Sequence, residues 1–306
     1  MKRIIGIGII FQMCSCDPSG KQLDDSPTSG NISISVDESF MSLTEFEVET
    51  FEGIYTYAVV TPHYKPEADV MKDLKADSAR IAIIARTLDS NEIKYFAAKK
   101  LHPQILKIAV DAVALIVNKE NTAKRISELQ VRGILSGKIN SWKQIDSVAN
   151  DLILVFDNAK SGNARFLREK LMEKNSPFPQ NCFAVNSNKE VIDYISKNKN
   201  AIGVIGMNWI SDTDDKNAKQ FLQQVKTLSV SSEKSPEDYF QPAQDYIADG
   251  RYPFTRNVYI INPEGRAGLG TGFASFVAGD KGQRIVRLNG LIPAVMPERI
   301  INFNGN

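Results

Sequence analysis

Residues 152–174 read LILVFDNAKSGNARFLREKLMEK. Leu152 to Phe156 are apolar without a break, the mark of a strand buried on both faces, whereas Phe166, Leu167 and Leu171 recur at helical spacing. Between them DNAKSGN is short and polar and contains one glycine. The chain thus leaves a buried strand and enters a helix whose first backbone N–H groups have no partner inside the helix. Such groups are either capped by a side chain or hold an anion, and Lys160-Ser161-Gly162-Asn163 is where that choice is made.

The same alternation runs outward from this unit. Upstream, NISISVDESF alternates as a strand, SLTEFEVETFEGIYTYAVVTPHY reads as an amphipathic helix followed by a strand, and EADVMKDLKADSARIAIIARTLDSNEIKYFAAKKL gives helix, buried strand, a turn at Arg86-Thr87 and another helix. Then come a long strand in LKIAVDAVALIVN and a short helix ending near Gly137. Downstream, CFAV is a strand, a helix starts near Asn186 to Asn188, and NAIGVIG is a buried strand. Residues 212–245 are polar and read as loops or peripheral structure, YPFTRNVYIIN as a strand, and GFASFVAGDKGQRIVRLNGLIP as closing helices. This order predicts an α/β fold with a largely parallel sheet and ligands beyond the strands' carboxyl ends. GRAGLGTGF at 265–273 is glycine-rich but lacks the strand context of a dinucleotide site, and reads as a loop before a helix.

Composition narrows the function. The 306 residues are 42% hydrophobic, enough for a sizeable core and, at roughly 150 residues per domain, for two domains. Lysine and arginine number 37 against 36 acidic residues, so no broad basic footprint for nucleic acid exists and any anion site is local. Of the three cysteines only Cys182 lies in the body of the chain, which rules out an internal disulfide there. It sits in an apolar stretch that suits an inert thiol. His63 and His102 are the two histidines, neither near a soft ligand, so neither a metal site nor a nucleophile–base pair is expected. Trp142 and Trp209 read as packing residues.

The N-terminus places Lys2 and Arg3 before an apolar run from Ile4 to Met13, too short to span a membrane, and then Ser15-Cys16. This layout resembles a bacterial lipoprotein signal in which Cys16 is lipidated, with Cys14 a poorer fit and a plain cleaved signal as the other reading. Residues 17–31 are rich in Asp, Ser, Pro and Gly and read as a flexible tether.

Several phrases together resemble the solute-binding proteins of phosphate ABC transporters, the PstS-like group of the type II periplasmic binding proteins. They are VDESF at 36–40, ARTLDSNE at 85–92, LIVNKEN and ILSGKINSW within 115–142, the KSGN turn, NAIGVIG at 200–206, YPFTRNVYI at 252–260 and GFASFVAGDKGQRIVRLNGLIP at 272–293. Their order and spacing, over roughly residues 32–301, carry the likeness. It implies two α/β lobes with a hinge and a ligand cleft between them. One lobe would be residues 32–110 with 256–306 and the other 111–255, after a signal at 1–16. The chain would cross between lobes near Ile108 to Ala114 and near Thr255 to Tyr259.

The resemblance further implies which residues receive the ligand: Ser39 and Phe40 after the first strand, Arg86 after a later one, and Ser161, Gly162 and Asn163 in the turn. Ser161 and Gly162 keep the family's usual glycine-serine-glycine-threonine pattern; Lys160 and Asn163 depart from it. A guanidinium such as Arg86 grips two oxygens in a fork, although an arginine at a strand end also serves in ion pairs. Asp157 is expected either to cap the helix or to accept the proton of hydrogen phosphate, which sulfate lacks at neutral pH. The implied protein is a monomer without cofactor or catalysis, exported, lipid-anchored at Cys16, and delivering phosphate or a similar small anion to a permease. The same fold also serves other oxyanions, or a sensory or surface role without ligand.

Overall fold

A computed structural model describes residues 25–145, 151–174, 176–211 and 216–297. The signal region with Cys14 and Cys16 lies outside the described residues. β1 (Ser29–Asp37) turns through a short 3-10 segment, Glu38–Phe40, into α1 (Met41–Ile54), β2 (Tyr57–Lys65), α2 (Glu67–Lys75), β3 (Ile81–Ile84) and α3 (Ser90–Ala98). Next come β4 (Gln104–Asn118), β5 (Arg125–Ser127), α4 (Glu128–Leu135), β6 (Ile153–Phe156), α5 (Gly162–Leu171), β7 (Cys182–Ala184), α6 (Asn188–Lys197) and β8 (Ala201–Gly206). α7 (Asn208–Ser211), α8 (Lys216–Gln224), β9 (Val225–Thr227), β10 (Ser229–Ser232), β11 (Ser235–Phe240) and α9 (Gln244–Ala248) follow, then β12 (Thr255–Asn262), α10 (Leu269–Ala278), α11 (Asp280–Leu288) and β13 (Ile292–Pro293).

The helix starts follow from their caps. Asp89 and Glu92 form a reciprocal capping box at α3, Ser127 and Gln130 another at α4, and Ser161 and Ser187 accept backbone N–H groups at α5 and α6. Each such cap is worth about 1 kcal/mol. Leu154, Val155 and Phe156 of β6 are fully enclosed, as the unbroken apolar run requires, and each such side chain contributes roughly 1.5–3 kcal/mol by leaving water. A charge at Val155 would break this strand.

The main sheet runs β2-β1-β3-β12-β4-β8-β6-β7. β1 pairs in parallel with β2 and β3, and β6 with β7 and β8. The two central strands depart from the largely parallel expectation, because β12 and β4 run antiparallel to their neighbours. Residues 212–245 also depart from it: β9 joins β4, and β10 and β11 form a small sheet with β5. Asp214 and Asp215 of that region lie outside the described residues. The expected tether ends early. β1 begins at Ser29, and Asp25 is fastened to α10 by accepting the Leu269 N–H at 2.8 Å.

Four clusters of core form among the described residues, and the two largest lie on different parts of the sheet. Ile34, Val36, Phe40, Phe51, Ile81, Ile108, Val258 and Phe273 pack together on one side, and Val113, Leu115, Leu154, Leu167, Ile202 and Phe254 on the other. β4 belongs to both. Its residues through Ala112 pair with β12, and from Val113 onward with β8.

Candidate functional site

The carboxyl ends of β1 and β6 face each other across the cleft between these two clusters. From the β6 side comes the turn before α5. Ser161 Oγ accepts the Ala164 N–H at 3.2 Å and donates to Asp157 Oδ1 at 2.6 Å. Asn163 Nδ2 donates to Asp157 Oδ2 at 3.0 Å and to Asn188 Oδ1 at 3.2 Å; Asn188 Nδ2 reaches Asp157 Oδ2 at 3.3 Å. Asp157 thus holds the turn together through both of its oxygens. Burial, and next the charge of Asp37, push its carboxyl up to about 7.

From the β1 side come Asp37, Glu38 and Ser39. Asp37 is fully buried; its Oδ1 accepts the Ser39 N–H at 2.9 Å and its Oδ2 accepts the Gly162 N–H at 3.0 Å, from across the cleft. Glu38 makes a second crossing, accepting the Asn188 backbone N–H at 3.1 Å as well as its side-chain amide. Burial pushes Asp37 up to about 6 and Glu38 up to about 7. The Ala68 N–H adds a backbone crossing to the Lys160 carbonyl at 3.2 Å.

Between them stands Arg256 of β12, directly opposite Asp111 of β4. Its Nε donates to Asp111 Oδ2 at 2.9 Å and its Nη2 lies 2.8 Å from the same oxygen, while the guanidinium rests 5.3 Å from the Phe40 ring centre. Nη1 is buried and makes no hydrogen bond within the protein. A methyl group on Gly162 would run into Asp37 Oδ2 and lie 3.3 Å from Arg256 Nη1, so helix end, carboxylate and guanidinium are packed closely against one another.

Arg86 is a correction. Its fork is taken by Glu92, with Nη1 to Oε2 at 2.7 Å and Nη2 to Oε1 at 2.8 Å, and its Nε reaches Glu67 Oε1 at 3.3 Å. Glu92 is needed at that place to close the α3 capping box, which is why the arginine turns toward it. The Phe40 side chain is enclosed in the core and lies against the Arg256 guanidinium. Gly162 meets Asp37, Ser39 adjoins Gly206, and Asn163 bonds to Asp157 and Asn188. Glu67, at the start of α2, accepts from Ala85 N–H at 3.2 Å, from Arg86, and from Arg165 of α5 through Nε and Nη2. Asp37, Glu38, Glu67, Asn188 and Arg256 were missed from the sequence. Arg256 left a signal there, because it shares the inward face of its strand with Val258 and Ile260. Among the described residues no group of His, Cys, Asp and Glu is placed to hold a metal ion.

Comparison with known proteins agrees with this architecture. The phosphate-binding protein PstS of Staphylococcus epidermidis is 27% identical over 205 residues, 65% of this chain and 59% of that protein, so the match spans about three fifths of its length. The phosphate-binding protein PstS of Borreliella burgdorferi is 27% identical over 220 residues, 70% of this chain and 72% of that protein. A Clostridium perfringens protein solved with bound phosphate superposes with a TM-score of 0.74 at 21% identity, covering 87% of this chain and 100% of that one. An ABC-type phosphate transport receptor from Vibrio cholerae gives 0.65 at 23% identity, covering 87% of this chain and 100% of its own. Two lobes joined by a hinge around a ligand cleft are the type II periplasmic binding protein fold. With residues 24–281 matched by the profile described as PBP superfamily domain, PBP_like_2, the chain belongs to that family of binding proteins, as a PstS-like member.

Proposed function

We infer that this chain captures inorganic phosphate in the cleft and passes it to an ABC permease. The supporting observation is the buried Arg256 Nη1, without a hydrogen-bond partner, beside the Gly162 N–H at the start of α5. A guanidinium edge and a helix N-terminus are complementary to a tetrahedral oxyanion. Near-neutral overall charge is no obstacle, since the donors are local. In this reading Arg256, Gly162 and Ser39 touch the ligand. Ser161, Asn163 and Asp157 shape the turn, Phe40 supports the guanidinium, and Arg86 acts through Glu67. The lobes comprise residues 32–110 with 256–306, and 111–255, with Asp37 on one side and Gly162 on the other.

The same reading has the protein exported, acting as a monomer, and held to a membrane by a lipid on Cys16. Its support is the basic start, the apolar run and Ser15-Cys16. No helix among the described residues is long and apolar enough to cross a membrane.

A second reading, another small oxyanion in the same seat, is favoured by the carboxylates of Asp37 and Glu38 facing it, which penalise a dianion. Calorimetric titration with phosphate, arsenate and sulfate separates the two. Arg256→Gln should remove binding of whichever anion is held; titration curves unchanged by that substitution would move the site elsewhere.

A further inference from the structure

The donors that would receive an anion are held in this structure by a carboxylate of the chain itself. Asp37 reaches the first N–H of α5 from the opposite lobe at 3.0 Å, and its other oxygen is fixed by the Ser39 N–H at 2.9 Å. Any side chain at Gly162 would have to displace them: a Cβ there would meet Asp37 Oδ2, lie 2.9 Å from Glu67 Oε2 and 3.3 Å from Arg256 Nη1. An incoming oxyanion needs the same N–H and the same guanidinium edge, and it cannot share them with a negative carboxylate in a space of that size.

We propose that Asp37 is a built-in competitor for the anion seat at the N-terminus of α5, so that ligand capture requires this carboxylate to let go of Gly162. The proposal rests on the reading of the cleft as an anion site, and adds what sets its affinity and pH response. The charged groups facing Asp37 are Glu67 from α2, Glu38 from the adjoining turn, Asp157 from the end of β6 and Arg256 from β12, whose own partner is Asp111 of β4. Three carboxylates and one arginine already bound to a fourth leave Asp37 in surroundings that favour taking up a proton. Burial first, then Glu67, push its carboxyl up to about 6, against the pull of Arg256. Once neutral, it both loosens its hold on the helix end and ceases to repel the ligand. The seat is therefore easier to enter as pH falls toward 6.

Asp37→Asn tests this, because asparagine is an equally good acceptor for the Ser39 N–H and keeps the turn while removing the charge. Full-length wild type and variant, shown folded by their melting curves, are titrated with phosphate, arsenate and sulfate from pH 8 to pH 6. The expected result is that the variant binds its anion roughly tenfold more tightly at pH 8, the scale of one charge-assisted hydrogen bond. The wild type should close that gap by pH 6, while phosphate's own titration cancels between the two proteins. Asp37→Ser, which also keeps a capping oxygen, should behave alike. Phosphate binding that is equal in wild type and variant would overturn the proposal and leave the phosphate reading standing. Weaker binding by the variant would make Asp37 a ligand contact and overturn it also. Absence of binding by every anion to both proteins would overturn the proposal and the phosphate reading together.

Discussion

Glu67 and Arg165 clasp each other across the cleft by two parallel contacts, Nε to Oε1 at 2.5 Å and Nη2 to Oε2 at 3.1 Å. Glu67 is almost wholly enclosed, and the same guanidinium reaches the Ala85 carbonyl at 3.0 Å. α2 packs on β1 and β3 and α5 on β8, so the pair ties together the two ends of the sheet. Removing Arg165 leaves the buried carboxylate with only Arg86 and the Ala85 N–H.

Arg165→Ala should therefore lower stability by about 2 kcal/mol, the low end for truncating one partner of a buried charge pair, because Glu67 keeps Arg86 and the Ala85 N–H. It should also widen the ligand-free protein. Urea denaturation measures the first and small-angle scattering the second. A radius of gyration identical to wild type would show that the pair does not hold the lobes together.

Ser161 and Gly162 separate the cap from the seat. Ser161→Ala removes the hydroxyl that accepts the Ala164 N–H, and should cost about 1 kcal/mol of stability. Gly162→Ala leaves that cap intact but puts a methyl group into the space shared by Asp37, Glu67 and Arg256. It should weaken phosphate binding by tenfold or more, equivalent to about 1.4 kcal/mol or more. Calorimetry beside melting curves decides; if Gly162→Ala binds as wild type does, the seat is not at this helix end.

Stability should fall as pH rises from 5 to 9, the reverse of the usual behaviour of ion-paired carboxylates. Burial is the main cause of the raised values, about 6 for Asp37, about 7 for Glu38 and Asp157 and about 9 for Glu47. Each of these groups holds its proton more tightly in the folded chain than in the unfolded one. Their contribution is thus complete below the ordinary carboxylate pKa of about 4 and is lost as pH climbs through the raised values. Urea midpoints at pH 5, 7 and 9 test the trend, and a midpoint that rises across this window would contradict it. The Glu47 carboxylate makes no hydrogen bond within the protein, so Glu47→Gln should flatten the alkaline end specifically.

Cys16→Ala should release the protein from the membrane fraction or block its processing, as expected for the residue that carries the lipid. Fractionation of expressing cells checks this. A variant as membrane-bound as wild type would remove the anchor from Cys16.

Much of the fold was legible because it is written in local pattern. The apolar run Leu152 to Phe156 had to be a doubly covered strand, and the helical spacing after it had to be α5. The cleft was only half legible. Ser161 announced itself as a cap, since capping acts over three residues. Asp37 meets Gly162 across 125 residues and Glu67 meets Arg165 across 98, and no local period encodes such a meeting. Arg86 misled for the same reason in reverse: a guanidinium at a strand end looks free until the helix that supplies Glu92 is folded against it. Residues 212–245 misled through composition, because short strands with polar outward faces, such as Ser235–Phe240, look like loop.

The ladder along β4 changes partner between Ala112 and Val113, one residue beyond Asp111. Arg256, held by Asp111 from the neighbouring strand, therefore sits on the axle of the molecule rather than on either jaw. On the proposed reading, an anion drawing this guanidinium toward α5 would apply its force at the strand pair the two halves share, and closure would need no longer lever to carry the signal.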